Sequence, residues 1–67
     1  MDLTNRQTNI INIVTVQEKA SLGIIRTLLQ EPISIPTLNR EIDKLIYHKL
    51  IYQIGRGRNK AYALSPN

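Results

Sequence analysis

The fold of this protein is decided by residues 34–64, SIPTLNREIDKLIYHKLIYQIGRGRNKAYAL. The apolar residues of its first half recur every three or four positions, which is the period of one face of an α-helix. These residues are Leu38, Ile42, Leu45 and Ile46. After His48, residues that favour β-strands form two short runs separated by a segment with two glycines, which is typical of strands joined by a turn. The stretch therefore predicts a helix over residues 35–48 and then a β-hairpin.

The predicted hairpin consists of two strands and a glycine-containing turn. Its three parts are residues 50–54, residues 55–59 and residues 60–64. Gly55 and Gly57 are free to adopt positive φ, and Asn59 tolerates the same conformation better than most residues. The last three residues, 65–67, are expected to fray.

Two more helices are predicted upstream, each from its start signal. Thr4 and Gln7 have the spacing of a capping box, and the apolar period after them predicts a helix over residues 5–16. Ser21 caps a second helix over residues 22–30, which the pair Glu31-Pro32 ends. Ser34 caps the third helix, with Pro36 in its first turn, where a missing N–H does no harm.

The composition indicates one small globular domain and excludes several classes of function. Ile and Leu make up 19 of the 67 residues, too many for a disordered tail. The absence of cysteine excludes a disulfide or a thiolate ligand, and one histidine cannot build a zinc site alone. No catalytic constellation or membrane span is found in the sequence. We therefore expect a cytoplasmic protein that is not an enzyme and needs no cofactor or membrane.

The net charge of +4 is confined to the end of the chain. Residues 1–48 carry five basic and five acidic side chains, whereas residues 49–67 carry four basic side chains and no acid. Such an asymmetry creates a local positive potential that attracts a polyanion. The alternative is a basic tail that only keeps the protein in solution.

The order helix, helix, helix, strand, basic turn, strand resembles the winged helix-turn-helix family of prokaryotic DNA-binding proteins. Two stretches carry the resemblance, SIPTLNREIDKL at residues 34–45 and LIYQIGRGRNKAYAL at residues 50–64. The first is similar to the family's recognition helix and the second to its wing. One departure is Lys49, at the end of the predicted third helix, where members of the family frequently have glycine. The resemblance implies a mainly α fold with a C-terminal β-hairpin, in which residues 1–64 form the domain and residues 65–67 a frayed end.

The resemblance also implies that the start of the third helix enters the major groove of duplex DNA. The residues that it assigns to DNA there are Pro36, Thr37, Asn39, Arg40 and Lys44. Arg40 is suited to a guanine or a phosphate, Asn39 to an adenine, and Thr37 to a phosphate or a thymine methyl group. The alternative for Arg40 is an ion pair with Asp43.

The tip of the wing, residues 55–60, is the second expected DNA contact. Arg56, Arg58 and Lys60 alternate, so on regular strands they would share one side. Arginines on a glycine-rich turn are suited to phosphate or to a narrow minor groove. The alternative is that these charges protect the edge of the hairpin from aggregation.

The aromatic residues and His48 have structural interpretations. Tyr62 shares a strand face with Leu64 and is expected in the core. Tyr47 and Tyr52 flank the junction between helix and strand, where core or rim packing is favoured over a contact with phosphate or protein. His48 is expected to interact with the carbonyl groups at the end of the third helix.

Two functions remain in competition. The first is duplex-DNA binding by a module of a transcriptional regulator. The second is a protein-interaction or dimerisation module of a larger multidomain protein. A core this small is not expected to bury Ile13, Ile33 and Ile35, which would then form apolar surface. The expected partners are therefore duplex DNA and either a second copy of the chain or an attached domain.

Overall fold

Three helices and a C-terminal antiparallel hairpin make up the structure, a computed structural model that describes residues 2–66. The elements are α1 (Asn5–Gln17), α2 (Leu22–Leu29), α3 (Ile35–Tyr47), β1 (Ile51–Ile54), a short 3₁₀ turn (Gly57–Asn59) and β2 (Ala61–Leu64). This confirms the predicted fold class, a winged-helix layout. Met1 and Asn67, the ends of the predicted domain and of the predicted frayed tail, lie outside the described residues.

All three helices begin at the predicted capping residues. Thr4 accepts from the backbone N–H of Gln7, and the Gln7 side chain accepts in return from the Thr4 N–H, both at 3.1 Å. Ser21 and Ser34 each accept a backbone N–H of the first turn at 3.3 Å. These contacts span only three residues, so the sequence pattern was sufficient to predict them.

The helix ends differ from the prediction by one residue each. α1 continues to Gln17, α2 stops at Leu29, and α3 stops at Tyr47 with His48 as its C-cap. α2 ends before Glu31-Pro32 because Gln30 adopts the left-handed conformation, with φ of 58°. The chain therefore leaves the helix before the proline restricts it.

The core is formed by residues from every helix and strand. Its fully buried large side chains are Ile10, Val14, Ile25, Leu38, Ile42, Leu45 and Ile51. Tyr62 is buried with them, as predicted. Leu64, on the same strand, is exposed. Ile33 is also buried, and Ile13 and Ile35 are partly buried, so the expectation that these three isoleucines form surplus surface was wrong for Ile33.

The hairpin is joined to the helices by one residue that the sequence pattern did not reveal. β1 and β2 pair in antiparallel register with Gln53 opposite Tyr62. On the other side of β2, Ala20 exchanges two main-chain hydrogen bonds with Tyr62, at 2.8 and 2.9 Å. Ala20 lies in the connection between α1 and α2. It therefore supplies a third strand, one residue long, that fixes the wing against the helices.

The pairing of the two strands continues beyond the residues assigned to them. The backbone N–H of Ser65 donates to the Leu50 carbonyl at 3.0 Å. Ser65 is thus held by main-chain pairing, although residues 65–67 were expected to fray. The predicted strands, 50–54 and 60–64, each begin one residue later than predicted, at Ile51 and Ala61.

α3 ends in a Schellman motif whose left-handed residue is a lysine. The Leu50 N–H donates to the Leu45 carbonyl at 3.0 Å, and the Lys49 N–H donates to the Ile46 carbonyl at 2.9 Å. This is the hydrogen-bond pattern that usually has glycine at the position of Lys49. Lys49 adopts φ of 62°, a conformation in which its Cβ crowds the backbone.

We expect Lys49→Gly to be more stable than Lys49→Ala by about 1 kcal/mol, since both remove the charge and only glycine relieves the crowding of Cβ. Chemical denaturation of the two variants measures the difference. Equal free energies of unfolding would show that the left-handed conformation is not a source of strain here.

Candidate nucleic-acid interface

The outward face of α3 carries a continuous row of exposed side chains. Pro36, Arg40, Asp43 and Tyr47 follow one another at intervals of three or four residues, opposite the buried row of the same helix. All four are exposed. Because the buried row fixes the rotation of α3 about its axis, the predicted contact residues Pro36 and Arg40 are directed to solvent.

The guanidinium group of Arg40 is available for a ligand. Arg40 is exposed, and no ion pair involves it among residues 2–66. The alternative ion pair with Asp43 is not formed. Lys44 is instead 3.6 Å from Glu41, measured from Nζ to Oε1, and is exposed. An exposed pair of this kind contributes little to stability and yields readily to a phosphate.

The other two predicted residues of α3 lie closer to the body of the protein. The hydroxyl group of Thr37 accepts from the Ser34 hydroxyl at 2.8 Å, which leaves the Thr37 proton free to donate. Thr37 and Asn39 are both partly buried. They flank the exposed row rather than lie within it, so Arg40 is more accessible than either of them.

Tyr47 is the residue of this face that the sequence reasoning missed. It was expected to pack in the core or at its rim, but 79 % of its surface is exposed. Its ring makes an edge-to-face contact with the imidazole of His48, with centroids 5.2 Å apart. Its spacing from Pro36, Arg40 and Asp43 was the available signal. Tyr52 is also exposed, although less so.

Two arginines of the helical body position the connection that leads into α3. Arg26 Nε donates to the Ile33 carbonyl at 3.1 Å, and Arg6 Nε lies 2.6 Å from Glu31 Oε1. Both partners lie between α2 and α3. The side chains of these two cations therefore have partners within the protein and hold the connection that leads into α3.

The tip of the wing is a compact turn built on two glycines. Gly55 and Gly57 adopt φ of 77° and 60°, as predicted. A Cβ on Gly55 would lie 2.8 Å from the main-chain oxygen of Asn59, so the chain approaches itself closely at this point. The turn projects the side chains of Arg56 and Arg58 into solvent.

The wing tip differs from the expected arrangement at two points. Regular strand does not run through the tip, because residues 57–59 form a 3₁₀ turn, so the condition under which Arg56, Arg58 and Lys60 would share one side is not met; Lys60 is partly buried. Asn59 does not use positive φ; it closes this turn by donating its N–H to the Arg56 carbonyl at 3.3 Å. The tip thus presents two arginines, with Lys60 at its base.

The two parts of the candidate interface are separate within the chain. No hydrogen bond or ion pair joins the start of α3 to the wing tip among residues 2–66. Each is fixed through the core, α3 by its buried row and the wing by Tyr62.

Comparison with known proteins supports the fold of this chain and gives no information about its function. The chain is similar to the structure of a protein with unknown function from Listeria innocua Clip11262, with a TM-score of 0.83 and 26 % sequence identity. The match covers 97 % of this chain and 45 % of the Listeria chain, so this chain spans about half the length of that protein. No protein-family model and no curated protein matches the sequence. No helix within residues 2–66 is long and apolar enough to cross a membrane.

The geometry of the wing tip predicts that its two glycines are not equivalent. We expect Gly55→Ala to destabilise the protein by about 2–4 kcal/mol, because it combines positive φ with a clash against the main chain. Gly57→Ala is the matched control. Its Cβ would meet nothing within 4 Å, so only the conformational cost of about 1 kcal/mol applies. Thermal denaturation compares the two, and equal losses would contradict the close approach at Gly55.

Proposed function

We propose that this chain is a winged-helix module that binds duplex DNA, as part of a prokaryotic transcriptional regulator. The observation that carries the proposal is the position of the positive charge. The helical body has no net charge, and the excess lies in residues 49–67, where Arg56 and Arg58 are exposed on a turn with two glycines. A duplex carries a dense line of phosphates, which such a turn is suited to contact.

In this proposal α3 lies in the major groove with its exposed row toward the bases. Arg40 donates to the O6 and N7 atoms of a guanine, or to a phosphate if the helix lies less deeply. The free hydroxyl proton of Thr37 and the Nζ of Lys44 are suited to phosphates. Tyr47, at the far end of the same row, places a phenolic hydroxyl where the DNA backbone would leave the groove.

The wing supplies the part of the interaction that does not depend on sequence. Arg56 and Arg58 contact phosphates or enter a narrow minor groove, whose negative potential attracts arginine. Because these contacts release counterions, the affinity falls as salt rises. A single module of this size buries about 600–1,000 Å² of protein surface on DNA, which gives weak binding by itself.

Protein interaction is the second candidate function, and one observation favours it. Several large apolar side chains are exposed, among them Val16, Ile24 and Leu28. These three residues lie on α1 and α2, away from the row on α3 and from the wing tip. A protein partner and a DNA partner would therefore use different surfaces. The cytoplasm, where prokaryotic DNA resides, is the location that goes with the proposed function.

The salt dependence of DNA binding tests the role of the wing. We expect Arg56→Ala with Arg58→Ala to make the slope of log K against log salt shallower by about 1.8, which is about 0.9 for each lost phosphate contact. Fluorescence anisotropy with a labelled duplex at several salt concentrations measures the slope. Lys19→Ala is the control, because it removes an exposed cation from the neutral body; it should leave the slope unchanged.

Two results would overturn the proposal. One is the absence of binding at low salt, and the other is a slope that the double substitution does not alter. The same sample also shows whether α3 and the wing face a common ligand. NMR chemical shifts on adding duplex should change at Arg40 and at Arg58 together, and changes confined to α1 and α2 would place the ligand elsewhere.

A further inference from the structure

One acidic side chain lies in the middle of the helix face that is proposed to contact DNA. Asp43 is exposed and stands between Arg40 and Tyr47 in the exposed row of α3. Because a duplex is a polyanion, a carboxylate at this place is repelled by the phosphates that the neighbouring cations attract. General attraction between the protein and DNA therefore does not explain why an acid occupies this position.

The contacts of the fold do not use the carboxylate of Asp43. Among residues 2–66 it takes part in no ion pair and in no side-chain hydrogen bond. The next residue, Lys44, is paired with Glu41. Asp43 also lies in the second half of α3, away from the first turn, where an acid stabilises a helix. Its two oxygens are thus free to accept hydrogen bonds from a ligand.

The base edges in the major groove offer a carboxylate few partners. Guanine presents two acceptors there, O6 and N7, and thymine presents an acceptor and a methyl group. Adenine presents the N6 amino group as a donor, but its N7 acceptor lies beside that group and repels a second acceptor. Cytosine presents the N4 amino group with no acceptor on the same base edge. A carboxylate that faces the bases is therefore best suited to cytosine.

We propose that Asp43 accepts a hydrogen bond from the N4 amino group of a cytosine, next to the guanine that Arg40 binds. The inference rests on the proposed function, because it requires α3 to lie in the major groove. Residues three positions apart are separated by about 4.5 Å along a helix axis, and successive base pairs by about 3.4 Å. Arg40 and Asp43 therefore face neighbouring base pairs, and the preferred site contains a guanine beside a cytosine.

Asp43 makes binding selective chiefly by what it opposes. Arg56 and Arg58 on the wing are attracted to the phosphates of any duplex. On a duplex without the cytosine, the carboxylate of Asp43 loses water and gains no donor in return, so that complex is weakened. The acid thus converts a general attraction into a preference among sequences.

Selection from a pool of random duplexes at low salt, with sequencing of the bound fraction, tests the inference. We expect the unmodified chain to enrich a guanine beside a cytosine. Asp43→Asn should keep the guanine and replace the cytosine by adenine, because an asparagine side chain pairs with the N6 and N7 atoms of adenine. Fluorescence anisotropy with the two selected duplexes should then show each protein preferring its own duplex by about tenfold, the effect of one good base contact.

Glu18→Gln is the matched control for Asp43→Asn. Each substitution replaces an exposed acid by its amide and raises the net charge from +4 to +5, since nine basic and four acidic side chains remain. Glu18 lies on neither α3 nor the hairpin, so we expect the enriched sequence to stay unchanged. Asp43→Asn should melt at the temperature of the unmodified chain, and a lower melting temperature would show that Asp43 serves the fold instead.

Three further results would overturn the inference and leave DNA binding in place. They are binding to the pool without a preferred cytosine, an unchanged enriched sequence for Asp43→Asn, and an equal change for Glu18→Gln. A pool that does not bind at low salt contradicts the proposed function itself, and the inference with it.

Discussion

The two hydrogen bonds between Ala20 and Tyr62 are the constraint on which the arrangement of this protein depends. They connect the wing to the helical body through the main chain, at 2.8 and 2.9 Å, while the Tyr62 side chain is buried in the core. A hairpin of two four-residue strands is only marginally stable in isolation. With Ala20 beside it, β2 becomes a central strand, and the charged tip projects from a fixed base.

The basic residues of the chain are divided between holding the fold and meeting a ligand. Arg6 and Arg26 are engaged with the connection before α3, whereas among residues 2–66 no side-chain hydrogen bond or ion pair engages Arg40, Arg56 or Arg58. A count of charges cannot reveal this division, because all five are arginines. The neutral body thus also contributes to the proposed interface, since two of its cations position the helix that is proposed to enter the groove of DNA.

Each of the three α-helices is followed, within two residues of its last residue, by a residue with positive φ that is not glycine. These residues are Glu18, Gln30 and Lys49. Each costs roughly 1–2 kcal/mol relative to an unstrained conformation, a substantial fraction of the stability of a small domain. The surrounding contacts impose these conformations: the chain must turn sharply to place Ala20 against β2, Ile33 in the core and Leu50 at the start of the hairpin. Replacing such residues by glycine is therefore a route to a more stable form.

The sequence by itself determined the helix starts, the buried row of α3, the glycine turn and the location of the positive charge. Those features depend on residues a few positions apart, whose side chains contact the nearby backbone whatever the rest of the chain does. Only the tertiary structure decided that Ala20 pairs with Tyr62, that Tyr47 is exposed, and that Arg58 lies in a 3₁₀ turn. Each of these depends on groups that are distant in sequence or on what covers a surface, and local patterns carry no information about either.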